Sequence, residues 1–287
     1  MIQVQNLTKR IGSFSLRNIS FELPEGYIMG LIGENGSGKT TLIRLLLGLY
    51  RENEGQIVVD GMYYEAERKQ ISSQMGFVLG DSLFKDTFSL ERNGKVFGAY
   101  YETFQFAKLQ SYLEEFGLDG REKYGRLSKG EQLKFQMAFA LAHQPKYLIL
   151  DEPVGNFEPE FRNRFYGILT RYVSDGKHSV ILSSHLTDEI ERITDYVVFL
   201  KAGQLVFFKT LEEMREHYRV VSGEAYKIKC LPKEDILFIE EGTYGAKALI
   251  RYHSARQYDN SELLLEQPTM GQMMYFWKKG DLPCEEK

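Results

Sequence analysis

The feature that most constrains this chain is a glycine-rich segment between an apolar run and a helix-like run. Residues 27–32 suit a buried parallel strand, and residues 42–47 continue as a helix that ends near Gly48. Strand, glycine-rich turn and helix start in this order predict a phosphate-binding loop. The loop consists of Gly33, Glu34, Asn35, Gly36, Ser37, Gly38, Lys39, Thr40 and Thr41.

Each residue type in this loop has a physical reason to be there. Glycines let backbone N–H groups approach phosphate oxygens, and the helix start adds partial positive charge. Lys39 supplies a full charge to the outer phosphates, and the Thr40 hydroxyl is suited to hold Mg²⁺. A glycine-rich turn without a ligand is the alternative, but the complete GxxxxGKT pattern after a strand argues against it. The segment therefore predicts a nucleotide site.

A second apolar run, residues 147–150, delivers two adjacent carboxylates at its carboxyl end, Asp151 and Glu152. Ligands bind at this edge in open α/β sheets. Successive side chains on a strand diverge, so the two acids are expected to have different roles. We predict that Asp151 holds Mg²⁺, directly or through water, and that Glu152 polarises the water attacking the γ-phosphate. The alternative is a solvated acidic turn without a ligand. The phosphate-binding loop elsewhere in the same chain argues against this alternative.

Upstream, residues 127–132 read Leu-Ser-Lys-Gly-Glu-Gln and lead into a helical pattern. Ser128 is well placed as the N-cap, with Glu131 as its capping-box partner. Apolar residues at helical spacing follow the cap, namely Leu133, Met137, Ala140 and Leu141. On its own, this pattern predicts a well-capped amphipathic helix.

Together these segments resemble the ATP-binding subunit of ABC transporters. Residues 33–41 match its Walker A motif, 147–152 its Walker B motif, 127–132 its signature, and 180–185 its switch strand with His185. The resemblance covers roughly residues 1–210. It implies that two subunits stack head to tail, with each ATP between one phosphate-binding loop and the signature helix of the other subunit.

By the same resemblance, Ser128 and Gly130 contact a phosphate presented by the other subunit. His185 is then expected to reach the γ-phosphate beside Glu152, and Lys39, Glu152 and His185 form the catalytic set.

One departure from the family pattern concerns the metal and its sensor. The family has a glutamine after the strand at residues 75–79, whereas this chain has Gly80, followed by Asp81. Glycine has no side chain for that role, and Asp81 could approach the metal instead. We therefore count Asp81 with Thr40 and Asp151 as a predicted metal ligand.

Three further departures concern the base, the dimer loop and the signature. Ile11 stands where an aromatic residue usually stacks on adenine, with Phe14 as a possible substitute. Glu158 stands where the loop after Walker B usually has aspartate, and Lys129 replaces a signature glycine. Because the catalytic set is retained, we expect ATP hydrolysis with altered coupling.

The pattern of the whole chain predicts an α/β fold. It comprises a P-loop NTPase core of the ABC type, an N-terminal antiparallel β-subdomain, a helical insertion at about 82–143 that carries the signature, and a small α+β extension. We expect an ATPase domain at 1–214 and an accessory domain at 215–287. In the latter, residues 226–230 alternate like a strand that pairs with 235–239 and 246–251, and a helix follows.

That final helix presents Met270, Met273, Met274 and Trp277 on one face. It either covers its own sheet or forms part of a regulatory or dimer-stabilising module. The aromatic stretch at residues 84–106 has two interpretations as well. Most of these rings are expected to pack the insertion, and the alternative is a groove for a membrane subunit.

Composition limits the partners. The net charge is −4, so a nucleic-acid partner is not expected. Charged residues interrupt every apolar run well before the length that spans a bilayer, and the N-terminus lacks the pattern of an export signal. Together with this pattern, the resemblance implies a peripheral protein on the cytoplasmic face of the membrane, attached through a separate transmembrane permease subunit. A second ABC ATPase subunit, identical or related, is the other expected partner.

The leading hypothesis is the ATP-hydrolysing subunit of a bacterial ABC exporter. The LSKGE sequence and the missing glutamine resemble the type-2 exporter branch. One alternative is a nucleotide-gated dimerisation module with little turnover. A soluble ABC protein outside transport is another alternative, and the chain lacks the tandem cassette, coiled coil or basic arms of such proteins.

Overall fold

The computed structural model describes residues 1–81, 83–185, 187–243, 245–253 and 262–280, apart from the side chains of residues 188 and 189. The strands, in chain order, are β1 Ile2–Ile11, β2 Phe14–Leu23, β3 Ile28–Gly33, β4 Glu54–Val59, β5 Met62–Tyr63, β6 Met75–Val78, β7 Tyr147–Asp151, β8 Ser179–Ser184, β9 Tyr196–Lys201, β10 Gln204–Thr210, β11 Tyr218–Gly223, β12 Ile236–Gly242, β13 Gly245–Arg251 and β14 Leu264–Glu266. The α-helices are α1 Lys39–Leu46, α2 Tyr64–Ser73, α3 Leu90–Gly98, α4 Phe106–Glu115, α5 Lys129–Ala142, α6 Pro159–Val173, α7 Thr187–Ile190, α8 Leu211–His217, α9 Ala225–Ile228 and α10 Met270–Lys279.

Ten strands form one sheet in the order β5-β4-β1-β2-β10-β9-β3-β8-β7-β6. The part made by β5, β4, β1 and β2 is antiparallel, whereas β9, β3, β8, β7 and β6 run parallel. Strand β10 links the two parts, because it is antiparallel to β9 and pairs with β2 at Gln204 and Arg17. The predicted α/β class, with a small antiparallel subdomain beside a parallel core, is confirmed.

The core strands lie where the sequence places them, within one residue at each end. Every residue of β3, β7 and β8 is buried, because separate apolar cores cover the two faces of the sheet. The carboxyl ends of these parallel strands meet at one edge. That edge brings together the loops at residues 33–38, 151–153 and 185, which come from distant parts of the sequence.

The helical insertion is an aromatic-rich layer of α3, α4 and α5. The predicted stripe of α5 is buried, but burial also includes Phe135, Gln136, Ala138, Phe139 and Ala142, so the helix is enclosed on nearly every side. The Phe84 ring contacts four other rings at centroid distances of 4.7–5.4 Å: those of Phe97, Tyr124, Phe135 and Phe139. Phe84 therefore packs the insertion, as the simpler interpretation of this stretch expected.

A second sheet follows the ATPase core, with four strands in the order β12-β13-β11-β14. The prediction of a strand at 226–230 was wrong, because this segment contains the short helix α9, and β11 takes the place beside β13. Ile228 is buried while Tyr226 and Cys230 are exposed, so the alternating residues do not share one buried face. A five-residue alternation is too short to exclude a helical turn.

Helix α10 completes the described C-terminal part. Met270, Met273, Phe276 and Trp277 are buried, and they belong to the same apolar core as Phe199 and Phe207 of the ATPase sheet. The helix therefore packs on the large sheet as well as on its own. The division at residue 215 stays a prediction, and residues 281–287 of the proposed accessory domain lie outside the described part of the chain.

Candidate nucleotide-binding site

The phosphate-binding loop connects β3 to α1 at the carboxyl edge of the sheet. Gly38 is the N-cap of α1, with φ 113°, and no side chain caps the helix start, so N–H groups of its first turn are available to a ligand. Gly36 has φ 80°, and an added Cβ there would meet nothing within 4 Å. The loop therefore presents a curved backbone with open space in front of it, as phosphate binding requires.

A cavity of about 500 Å³ lies over this loop. It is lined by Ile11, Phe14, Glu34, Asn35, Gly36, Gly38, Lys39, Thr40, Thr41, Tyr50 and Glu152. Ser37 is buried instead, and its carbonyl oxygen accepts a hydrogen bond from the Gly203 N–H at 2.9 Å. Ile11 and Phe14 thus lie where the sequence analysis predicted a base contact, although that role stays a prediction.

The three predicted catalytic side chains form one connected chain of contacts. The buried Lys39 ammonium donates to the carbonyl oxygens of Gly33 and Glu34 at 2.7 and 3.2 Å. It also lies 3.1 Å from Glu152 Oε1. The other carboxylate oxygen, Oε2, lies 2.6 Å from His185 Nδ1. Glu152 therefore contacts both Lys39 and His185, although the three residues are far apart in the sequence.

The backbone of Glu152 is held in an unusual conformation. Its φ is 49°, in the left-handed region that non-glycine residues seldom adopt. Such a conformation costs on the order of 1 kcal/mol or more and persists where the surroundings enforce it. Here the Glu152 N–H donates to Ser183 Oγ on the adjacent strand β8 at 3.0 Å. In this conformation the Glu152 carboxylate contacts Lys39.

A set of oxygen atoms suited to Mg²⁺ lies beside this chain of contacts. The Thr40 hydroxyl lies 2.8 Å from Asp151 Oδ2, and the Ser183 hydroxyl donates to Asp151 Oδ1 at 2.8 Å. Hydroxyl and carboxylate oxygens are the hard ligands that Mg²⁺ prefers, usually together with phosphate oxygens and waters. Thr40 and Asp151 therefore fit the predicted metal site.

Asp81, the third predicted metal ligand, has a different partner. Its Oδ2 lies 2.9 Å from the Arg44 guanidinium, which also donates to the Tyr50 hydroxyl at 2.9 Å. The structure thus assigns the Asp81 charge to an ion pair beside the cavity. Sequence analysis missed Arg44 and Tyr50, because neither belongs to a motif, although Arg44 lies on the helix α1 that begins at the loop.

Two side chains of α5 hold the segment that carries Gly80 in place of the family glutamine. Gln136 is buried, accepts from the Leu79 N–H at 2.9 Å and donates to the Asp81 carbonyl oxygen at 3.1 Å. The Lys129 ammonium donates to the Gly80 carbonyl oxygen. Sequence analysis missed Gln136, although a glutamine amid apolar residues of a buried helix was a usable signal.

The signature segment is organised around its own helix start. Ser128 Oγ accepts from the Glu131 N–H at 3.3 Å, and the Ser128 N–H donates to Glu131 Oε2 at 2.8 Å, so the predicted capping box is confirmed. The Ser128 hydroxyl also donates to this carboxylate and lowers the pKa of Glu131 below its usual value. A Cβ on Gly130 would lie 2.6 Å from the Asn156 carbonyl oxygen, so glycine permits this close approach.

No hydrogen bond or ion pair joins Ser128 or Gly130 to Lys39, Thr40 or Asp151 within the residues that the structure describes. The phosphate-binding loop and the acids after β7 form one assembled group in this chain. The signature forms another group.

Comparison with known proteins places this arrangement in a family. Residues 16–155 match the protein family described as ABC transporter. An uncharacterized ABC transporter ATP-binding protein of Methanocaldococcus jannaschii is 31% identical over 279 residues, covering 93% of this chain and 98% of the relative. The chain belongs to the ATP-binding subunits of ABC transporters.

Two further similarities agree with this membership. The sulfate/thiosulfate import ATP-binding protein CysA of Synechocystis is 30% identical to this ABC subunit over 249 residues, covering 83% of the chain and 69% of the relative. A dimeric ATP-binding cassette solved in a post-hydrolysis state has the same fold, with a TM-score of 0.67 and 20% identity. That match covers 74% of this chain and 99% of the solved one.

The predictions of the family, of the fold class and of an ABC-type ATPase are therefore confirmed. ATP binding follows from the same membership. Among the helices described for this ABC subunit, none combines the length and apolar character that crossing a bilayer demands.

Proposed function

We propose that this ABC subunit hydrolyses ATP to drive an exporter through separate membrane subunits. The observation that carries the proposal is the contact chain from Lys39 through Glu152 to His185, next to Thr40 and Asp151. A site built only to hold a nucleotide needs the lysine and the loop. It does not need a carboxylate that is oriented by a histidine and a strained backbone.

In the proposed reaction, Lys39 and the loop N–H groups bind the β- and γ-phosphates and stabilise the charge that spreads over them. Glu152 polarises the attacking water, and His185 holds this carboxylate from the other side. Thr40 and Asp151 would hold Mg²⁺, which neutralises phosphate charge when bound. Asp81 remains a weaker candidate for this role, because its carboxylate is paired with Arg44.

The proposed active form is a head-to-tail pair of such subunits, identical or related. No described hydrogen bond joins Ser128 or Gly130 to Lys39 or Thr40, and their helix start would bind a phosphate held by another subunit. The solved cassette with the same fold is described as a dimer bound to ADP and Pi. ATP would close two subunits together, and hydrolysis would let them separate.

The proposed membrane partner is a separate permease that docks on the helical insertion, which would place this subunit at the cytoplasmic face of the membrane. A cavity of about 240 Å³ opens there. It is lined by Phe77, Leu83, Phe84, Phe97, Tyr100, Tyr101, Gln136, Phe139, Ala140 and His143. Tyr100 at its edge is 81% exposed, and exposed aromatic residues beside an apolar pocket are frequent anchors at interfaces. Movement of the two ATPase subunits would reach the permease through this insertion.

The direction of transport is part of the proposal. The Lys129 substitution and Gly80 resemble the exporter branch, whereas CysA is an import protein by its name. The cargo is set by the membrane subunits.

A second candidate function is a nucleotide-gated module with little turnover. Gly80 offers no side chain to sense the metal, and the neighbouring Asp81 is occupied by Arg44. Such a chain would bind ATP and dimerise but would release almost no phosphate, even with its membrane partner.

The deciding experiment is phosphate release by the purified transporter with Glu152→Gln. We expect hydrolysis to fall by about 100-fold or more, since general-base catalysis contributes about 10²–10⁴-fold, while ATP binding is retained. Glu160→Gln, on the exposed first turn of α6, is the matched control and should hydrolyse ATP at the unmodified rate. Equal hydrolysis by Glu152→Gln and wild type would overturn the assigned role. An inactive wild type that binds ATP would favour the second candidate.

A further inference from the structure

The C-terminal helix α10 reaches the phosphate-binding loop. The Lys278 ammonium lies 2.5 Å from Glu34 Oε1. Glu34 is the second residue of the loop, and its carbonyl oxygen accepts a hydrogen bond from Lys39 Nζ at 3.2 Å. One residue of the loop therefore contacts both the C-terminal helix and the lysine that faces the phosphates.

Buried apolar contacts, and not the ion pair, fix the position of α10. The Trp277 ring is buried, at centroid distances of 5.7 Å from Phe207 on β10 and 5.5 Å from Tyr218 on β11. The Trp277 carbonyl oxygen accepts from Lys201 Nζ at 3.3 Å, at the end of the strand next to β3. A large buried aromatic residue anchors a helix firmly. Lys278, the next residue, is thereby held at the loop.

The other end of α10 contacts the segment that follows the switch histidine. The Met270 N–H donates to Glu191 Oε2 at 2.9 Å, and Glu191 Oε1 is paired with Arg215 at 2.7 Å. Glu191 comes directly after α7, whose first residue is two positions beyond His185. Helix α10 thus spans two segments of the nucleotide site, the phosphate-binding loop at one end and the segment after His185 at the other.

The negative charge of Glu34 affects how strongly the loop binds a nucleotide. A carboxylate in a loop that binds a triphosphate opposes the ligand, because like charges repel. Lys278 places the opposite charge on that carboxylate. Both side chains are more than half exposed, at 62% for Lys278 and 51% for Glu34, so the pair contributes little to folding stability. Its effect is expected on anion binding instead.

We propose that Lys278 is a positioning residue for the nucleotide site, acting through Glu34. With α10 docked, Lys278 offsets the Glu34 charge and steadies the loop, so ATP binds more tightly. By linkage, bound ATP favours the docked helix to the same extent. The C-terminal part of the chain is therefore coupled to the nucleotide state. The inference rests on the proposed nucleotide site.

The test measures the equilibrium dissociation constant of MgATP for the full chain, in a double-mutant cycle of Lys278→Gln and Glu34→Gln. At low ionic strength, Lys278→Gln should weaken ATP binding by about 3- to 10-fold, and the effect should shrink in high salt. In the Glu34→Gln background, the same substitution should cost less than about 2-fold. The matched control is Lys279→Gln, the adjacent cation on α10, which lies 4.0 Å from Glu240 and should change binding by less than about 2-fold.

Steady-state kinetics separate positioning from damage to the fold. Lys278→Gln should raise KM for ATP while leaving kcat and the thermal midpoint unchanged. Three results would overturn the inference: unchanged ATP binding in Lys278→Gln, an equal loss in the Glu34→Gln background, or an equal loss in Lys279→Gln. A wild-type chain that binds no ATP would overturn the nucleotide site itself, which is a different result.

Discussion

The phosphate-binding group and the signature group satisfy their polar atoms in different ways. In the first, Lys39, Glu152 and His185 come from three loops and contact one another across the edge of the sheet. In the second, Ser128 is satisfied within four residues, by Glu131 of its own helix. The first group needs the whole parallel sheet to exist, whereas the second needs only a helix start. One chain therefore assembles the phosphate-binding group, and the proposed role of the signature on a phosphate held by another subunit is a separate prediction.

The two groups are nevertheless joined mechanically. Gly130 packs against Asn156 in the loop after Walker B, and Gln136 and Lys129 hold the segment at residues 79–81. Helix α5 therefore contacts the loop that follows Asp151 and Glu152. A shift of α5 would therefore displace residues 79–81 and the loop at Asn156, at the carboxyl edge of the sheet.

The largest effect should come from removing the central cation of the phosphate-binding group. Lys39→Ala is expected to weaken ATP binding by the isolated chain about 100-fold, because buried charge-assisted hydrogen bonds each contribute about 1.5–3 kcal/mol. Lys129→Ala, which removes a cation from the signature group, should change the same affinity by less than about 3-fold. Titration calorimetry with MgATP measures both. Equal losses of ATP affinity in the two variants would contradict the distinction between the phosphate-binding group and the signature group.

An intermediate effect is expected from the signature cap. Ser128→Ala should leave ATP binding by the isolated chain within about 2-fold but lower hydrolysis by the assembled transporter about 10-fold. It should also cost about 1 kcal/mol of stability through the lost cap.

Ser89→Ala separates these two consequences. Ser89 caps α3 in the same insertion by accepting from the Arg92 N–H at 3.2 Å, so its loss should cost similar stability. Hydrolysis should be unaffected in this variant. If Ser89→Ala and Ser128→Ala lowered hydrolysis equally, Ser128 would act only through the fold of the insertion.

The smallest effect concerns the far end of α5. Burial lowers the pKa of His143 to about 4, from an ordinary value of 6.5, and its ring stacks on Tyr101 at 4.2 Å. Between these values the unfolded chain binds a proton that the folded chain does not, so stability falls as pH falls through this window. Going from pH 7.5 to 5.5 should cost about 1 kcal/mol through this group.

Denaturant unfolding of wild type and His143→Phe at both pH values measures this cost. The phenylalanine ring retains the stacking and has no proton to gain. The wild type should therefore lose about 1 kcal/mol more than the variant on acidification. Identical losses of stability would contradict the prediction, because they would mean that His143 has the same pKa in the folded and the unfolded chain.

The residues that sequence could place are those whose role is local. The phosphate-binding loop, the Ser128 cap and the buried parallel strands each follow from a short run of residues, and each lies where it was predicted. The meeting of Glu152 with His185 required the family resemblance, because nothing in either segment alone points to the other.

The residues that sequence missed depend on tertiary contacts. Ser183 contacts Asp151 only because β7 and β8 are neighbours in the folded sheet, and Tyr50 lines the cavity from the segment after α1. Lys278 reaches Glu34 from the opposite end of the chain. The strand predicted at 226–230 failed for the converse reason: a local alternation was read as a strand without knowing which neighbour would pair with it.

The end of strand β8 contacts both Asp151 and Glu152. Ser183 belongs to β8, and His185 follows the end of this strand directly. One contacts Asp151 and the backbone of Glu152, and the other contacts the Glu152 carboxylate. A sideways slip of this strand end would disturb both acids at once. If Asp151 holds the metal and Glu152 activates water, as proposed, one displacement of this strand end would impair both functions together.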